Sequence, residues 1–182
     1  MVMPVIARRF TVDEVLAWPD DGNRYELVAG VLLVTPAPLP SHQVVAARIV
    51  AALSGLVRPW PDVHVASPGE ILIRPDLKME PDVLVFRAPS LEATWGEIRE
   101  HWLAVEVWSP SSIVYDRDIK RDAYLAVGIR EVWLVDLVGK TIFRSRPGAA
   151  SDVPHRSSLG WQPPVVAHEL PIDLNEIFRG IP

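Results

Sequence analysis

Two apolar runs set a helix's length apart constrain this chain most. Trp102-Leu-Ala-Val-Glu-Val-Trp108 is apolar except at Glu106, and Glu131 to Val135 is a second such run. A run that apolar marks a strand buried on both faces, typical of parallel pairing. Between the runs, Asp116 to Val127 has helical spacing and Gly128 stands where a helix stops. A strand–helix–strand unit over 103–135 follows, its strands parallel through a right-handed crossover. The chain is therefore expected to be α/β with a mixed central sheet.

The flanks fill in around that unit. Thr11-Val-Asp-Glu14 reads as a capping box opening a short helix that ends near Trp18-Pro19. Arg24 to Val34, broken at Ala29-Gly30, reads as an additional N-terminal β-hairpin after a turn at Asp20–Asn23. A stiff loop follows at Pro36, Pro38 and Pro40. Ser41 is expected to cap a helix to about Val57 with an apolar face of Val44, Val45, Ile49, Ala52, Leu53 and Leu56. Strands follow at 63–66, 70–73, 83–86 and 141–144. Residues 147–164, rich in Pro, Ser and Gly, read as a loop, and 170–178 as a docked short helix. The 182 residues make one domain, with a core at about 10–146 and a C-terminal extension at 147–182.

Composition narrows function by exclusion. There is no cysteine, so thiolate chemistry and disulfide scaffolds are out. No apolar run reaches the roughly 20 residues a bilayer span needs. The apolar start Met1–Ala7 precedes Arg8 and Arg9, the reverse of a signal peptide, so a cytoplasmic location is expected. A net charge of −5 argues against a protein that coats nucleic acid. Neither a Gly-rich phosphate loop nor a Gly-x-Ser-x-Gly elbow occurs, and the five histidines show no metal-ligand spacing.

Three residues look out of place. Glu106 lies inside a buried strand, where a carboxylate is costly unless it is paired or metal-bound; the alternative is an edge strand with Glu106 facing water. Asp82, in Met-Glu-Pro-Asp-Val-Leu-Val-Phe (79–86), heads a second apolar strand, though a strand-start Asp after proline is common. Together, two hard oxygen donors on neighbouring strands suit Mg2+. The third is Lys120. Among the 18 basic residues only Lys78, Lys120 and Lys140 are lysine, and Lys120 stands between Arg117 and Arg121. A compact, tunable ammonium suits water activation better than a guanidinium does. Asp116, Lys120 and Tyr124 share one helix face, while Ile119, Ala123 and Val127 are expected to face the core. The plainer reading is an Asp116–Lys120 surface pair, and Lys78, four residues before Asp82, is a rival lysine.

Four stretches carry a resemblance: Arg-Tyr-Glu-Leu-Val-Ala-Gly (24–30), the helix opening at Ser41-His42, Glu-Pro-Asp-Val (80–83), and the long stretch 104–136 with Ser-Pro-Ser-Ser after Trp108. They span roughly residues 10–146. The sequence resembles the PD-(D/E)XK restriction-endonuclease-like superfamily, and within it a bacterial restriction-endonuclease family first catalogued as a domain of unknown function. The resemblance implies a restriction-endonuclease-like fold and Mg2+- or Mn2+-dependent endonuclease activity on DNA. It also implies metal ligation by Asp82, Glu106 and the Val107 carbonyl, and a catalytic Lys120. Superfamily members place lysine two residues after the acid; Trp108 stands there, and Lys120 on the following helix is the match. Glu26 corresponds to an acid near the metal, while Ala29 departs from the acidic residue often found before that glycine. His42 matches a family histidine. Candidate substrate contacts are His42, Arg117 and Arg121; the arginines, with Arg130, could instead be a solvated face. Trp60 and Trp161 are candidate nucleic-acid or dimer contacts, whereas Trp108 and Trp133 belong to core strands. The expected partners are DNA and a second copy of the chain, with no membrane. Two other readings stay open: a catalytically inactive nuclease fold kept for binding or dimerisation, and a hydrolase of RNA or another phosphodiester.

Overall fold

The computed structural model describes residues 8–19, 21–35, 38–108 and 116–182. The Met1–Ala7 start, Asp20, Pro36 and the Ser-Pro-Ser-Ser stretch lie outside the described residues. Elements in chain order are α1 (Val12–Leu16), β1 (Arg24–Val28), β2 (Val31–Thr35), α2 (Pro40–Val57), β3 (Val63–Ala66), β4 (Ile71–Ile73), β5 (Leu77–Met79), β6 (Val83–Arg87) and β7 (Glu100–Val107). A π-helical turn (Asp116–Lys120) runs into α3 (Arg121–Ala126), followed by β8 (Glu131–Asp136), β9 (Thr141–Ser145), β10 (Val153–His155), β11 (Ser158–Trp161), β12 (Leu170–Asp173) and α4 (Leu174–Ile177).

The central sheet has six strands in the order β10-β9-β8-β7-β6-β3. The β7–β8 pair is parallel, with Glu106 beside Leu134, and every other neighbour is antiparallel, so the sheet is mixed as expected. A second, antiparallel sheet runs β2-β1-β5-β4 and contains the N-terminal hairpin. At the hairpin turn Ala29 and Gly30 are both left-handed, at φ 48° and 76°, which a tight primed turn requires.

The two-residue period of the central strands sorts side chains to two faces. Val83, Val85, Val105, Val107, Trp133 and Val135 pack under α2 on one face. Leu84, Phe86, Ala104, Val132 and Leu134 pack on the other with Tyr124 of α3 and with Ile71 and Met79 of the small sheet. Glu106 shares this second face with Ala104 by alternation. The C-terminal residues Leu159, Trp161, Ile172, Leu174 and Ile177 join the α2 layer. Trp161 is thus a core residue rather than a surface contact, and losing such a ring costs about 3–5 kcal/mol.

Local signals explain several boundaries. The Thr11–Glu14 capping box is present in both directions. Helix α2 starts at Pro40, with Leu39 at the cap and no side-chain cap bond, so Ser41 is not the cap. Proline presets the helical φ and lacks an N–H that would be orphaned there. Its buried face is His42, Val45, Ala46, Ile49, Leu53 and Val57, whereas Val44 is exposed. After α3, Gly128 at φ 92° donates to the Leu125 carbonyl and the buried Ile129 to that of Tyr124, closing the helix as a Schellman motif. The expected loop at 147–164 instead contains β10 and β11. Polar, Pro- and Gly-bearing strands give no apolar run, and they form because β9 and β12 supply ladder partners.

Candidate active site

The site forms where β1 of the small sheet approaches the ends of β6 and β7 and the turn leading into α3. Glu26 on β1 is fully buried, Glu106 on β7 is 2% exposed and Lys120 is 3% exposed. The Lys120 ammonium lies 2.6 Å from Glu26 Oε2 and 3.4 Å from Glu106 Oε1. Tyr124, one turn on, donates its hydroxyl to the same Glu106 oxygen at 2.5 Å. The face expected to be polar is therefore the buried one. Lys120 and Tyr124 point inward, and Ile119, Ala123 and Val127 are only half-buried. The two carboxylates decide the orientation, because each needs a buried donor more than the core needs three aliphatic groups. Lys120 is a buried residue, not a surface one.

Asp82 immediately precedes β6, one position beyond the Val83–Val105 pair, and so next to Glu106. Its Oδ2 accepts from the Val107 N–H at 2.8 Å and lies 3.0 Å from His42 Nε2; its Oδ1 accepts from Arg24 at 3.2 Å. Burial alone would raise the Asp82 pKa. The hydrogen bond and charge of His42, the Val107 N–H and Arg24 outweigh it and hold the carboxyl below its usual range. Arg24, two residues before Glu26 and so on the same strand face, senses all three acids. Burial opposes its charge, but Asp82, then Glu106 and Glu26, raise its pKa further. Arg24 thus feels the charge of all three carboxylates.

A neighbouring cluster leans on the first. Glu80 donates its N–H to Glu26 Oε1 at 2.8 Å, and its carboxylate pairs with Lys78 and lies 3.7 Å from Arg24. Lys78 also meets Glu70 at 3.3 Å and the Tyr25 carbonyl at 3.3 Å. Arg24, Tyr124, Glu70 and Glu80 join the site without a functional signal of their own in the sequence. The signal for Arg24 was its i−2 position to Glu26; for Tyr124 it was the i+4 step from Lys120.

The structure brings Glu26, Asp82, Glu106, Lys120 and His42 together and adds the Val107 backbone. It does not bring in Arg117 and Arg121, which both reach Asp152, at 3.1 and 2.7 Å. Trp108 stacks on Phe143, ring centroids 5.4 Å apart, so no cation stands two residues after Glu106. Among the described residues no group of three or more His, Asp or Glu side chains is arranged to hold a metal ion, and no helix is long and apolar enough to cross a membrane.

A mixed sheet carrying adjacent carboxylates, with a helix delivering a lysine to them, defines a restriction-endonuclease-like α/β protein. The sequence matches the Uma2 family, described as "putative restriction endonuclease", over residues 12–175, and the chain belongs to that family. Among solved structures it is similar to a chain from Anabaena variabilis described as a "putative nuclease belonging to DUF820". The two share 21% identity at a TM-score of 0.75, over 92% of this chain and 97% of that one. No curated protein matches the sequence.

Proposed function

We propose that this chain is a Mg2+- or Mn2+-dependent endonuclease that hydrolyses phosphodiester bonds, with DNA as its substrate. One observation carries the reading: a buried ammonium, Lys120, held between two buried carboxylates from different sheets, with Asp82 beside them. Desolvating such a group is costly, and buried charge clusters drawn from distant segments concentrate at functional sites.

The donor set fits a hard divalent cation. Asp82 and Glu106 are cross-strand neighbours at the buried junction of β6 and β7, so two hard oxygen donors stand side by side. Asp82 and Glu106, with the Val107 carbonyl, would hold Mg2+, whose shell needs only one or two carboxylates beside water and substrate phosphate. When bound, the cation supplies Lewis acidity at the phosphate and an acidified water. The chain's residues do the rest. Tyr124 and Lys120 converge on Glu106 Oε1 and fix its orientation. Arg24, His42 and the Val107 N–H keep Asp82 ionised. Glu26 holds the Lys120 ammonium where it can offset charge developing on a phosphate oxygen. Because one such site cuts one strand, cleaving a duplex calls for two copies of the chain.

A supercoiled-plasmid nicking assay with Mg2+ or Mn2+ tests this. Glu106→Gln, nearly isosteric, should lower the rate by about 10²-fold or more; a rate equal to the parent's refutes the assignment. The second reading, a fold kept for binding alone, draws on one feature: both Asp82 oxygens are already engaged, by Arg24 and by His42 with the Val107 N–H. It predicts DNA or self-association with no metal-dependent nicking by the parent chain.

A further inference from the structure

We propose that Asp152 is a positioning residue that fixes the Lys120 turn through Arg117 and Arg121. The proposal builds on the site role of Lys120 given above. Lys120 ends a π-helical turn, which is wider than α-helix and frequent at functional positions. Such a turn sets the direction of Lys120 only if the segment cannot roll about its axis. On one side Lys120 and Tyr124 reach Glu26 and Glu106. On the adjacent flank, Arg117 Nε and an Arg121 terminal nitrogen both donate to Asp152 Oδ2, at 3.1 and 2.7 Å. Arg121 also touches the exposed Asp122 at 2.9 Å.

Asp152 is itself anchored. Its N–H donates to Ser145 Oγ at 2.9 Å, and that hydroxyl donates back to Asp152 Oδ1 at 3.3 Å. Ser145 is buried and pairs with Val132 of β8, so the anchor reaches the central sheet. The Asp152 backbone is left-handed, φ 55°, a conformation that disfavours any side chain but suits Asp or Asn better than most. Both carboxylate oxygens are engaged and the side chain is largely buried. Asp152 therefore acts as a fixed staple, and Arg117 and Arg121 serve it rather than the substrate.

Amine labelling of the full-length native chain tests this without reference to nicking. The three lysines give three readouts by mass spectrometry. Lys140 is exposed and labels in every variant. Lys78, buried in its own acid cluster, reports general loosening. Asp152→Ala should raise Lys120 labelling by about tenfold or more and leave Lys78 protected, as for a local opening; Asp152→Asn should show a smaller rise. The proposal is overturned if Lys120 stays as protected as in the parent, or if Lys78 and Lys120 become reactive together. Should the parent chain not nick DNA, the nuclease reading fails while the labelling still decides the staple. If it nicks, Asp152→Ala should lower kcat with KM for DNA preserved. Tighter DNA binding at unchanged kcat would instead make the arginine pair a phosphate site blocked by Asp152, and overturn the staple.

Discussion

Lys78 and Lys120 are both buried and each sits between two glutamates, yet they do different things. The partners of Lys78, Glu70 and Glu80, lie within ten residues of it and are each about a fifth exposed. That cluster pins β4 and β5 of the small sheet and reaches water. The partners of Lys120 come from β1 and β7, in different sheets, and neither has meaningful access to solvent. A buried lysine with acids around it can be a local fastener. What marks the Lys120 cluster is convergence of distant segments on an ammonium with no solvent to relieve the charge. Strand β1 stands between the two, giving Lys78 the Tyr25 carbonyl and Lys120 the Glu26 side chain.

The sharpest way to break this contrast is activity. Lys120→Ala should lower nicking by about 10²-fold or more and Lys78→Ala by about threefold or less. Equal losses would make both clusters catalytic, or neither. Stability should separate them next. Lys120→Met strands Glu26 and Glu106 in the interior, at about 3–5 kcal/mol in urea unfolding; adding Glu26→Gln should recover part of the loss. Lys78→Met strands acids that reach water, at about 1–2 kcal/mol. A reversed order would mean that convergence does not concentrate the energetic cost.

Alkaline pH tests the Lys78 cluster alone. Burial would lower the Lys78 pKa, but Glu80 and then Glu70 outweigh it, and the folded value lies above the ordinary one. A raised folded pKa means the stabilisation is complete below the unfolded value of about 10.4 and is lost as pH rises through the folded value. Unfolding free energy of the parent should therefore decline above about pH 10.4 more steeply than that of Lys78→Met. Parallel curves would show that Lys78 gains nothing from its glutamates.

Much of this is legible in the sequence, for reasons that differ by residue. Strands β7 and β8 and the intervening helix stood out because burial on both faces leaves no polar alternation to confuse with a loop. Glu106 stood out for the same reason, as the one charge in that run. Lys120 was visible only against an arginine-rich background. The helix face is not legible from periodicity, which ranks side chains by apolarity, whereas here two buried carboxylates claim Lys120 and Tyr124. Arg24 was hidden by being the chain's default cation: nothing local distinguishes it from Arg117 or Arg121, and only the meeting of β1 with the end of β6 gives it Asp82. Strands β10 and β11 were hidden because their ladder partners, not their own composition, make them strands.

The smallest expected effect tests whether β1 serves both lysines as a passive frame. Ala29 holds φ 48° at the hairpin turn, followed by Gly30 at 76°. Left-handed backbone is unfavourable for alanine and tolerated by asparagine, whose pairing with a following glycine is the preferred primed-turn sequence. Ala29→Asn should therefore raise stability by about 0.5–1 kcal/mol, read as a higher urea midpoint at unchanged slope. The turn lies at the far end of the strand from Arg24. A passive frame transmits no change to either ammonium, so nicking, and protection of Lys78 and Lys120 from amine reagents, should match the parent. If Lys120 protection changes while Lys78 protection does not, β1 is part of the device that sets the Lys120 ammonium, and the boundary drawn here between scaffold and site moves to include the hairpin.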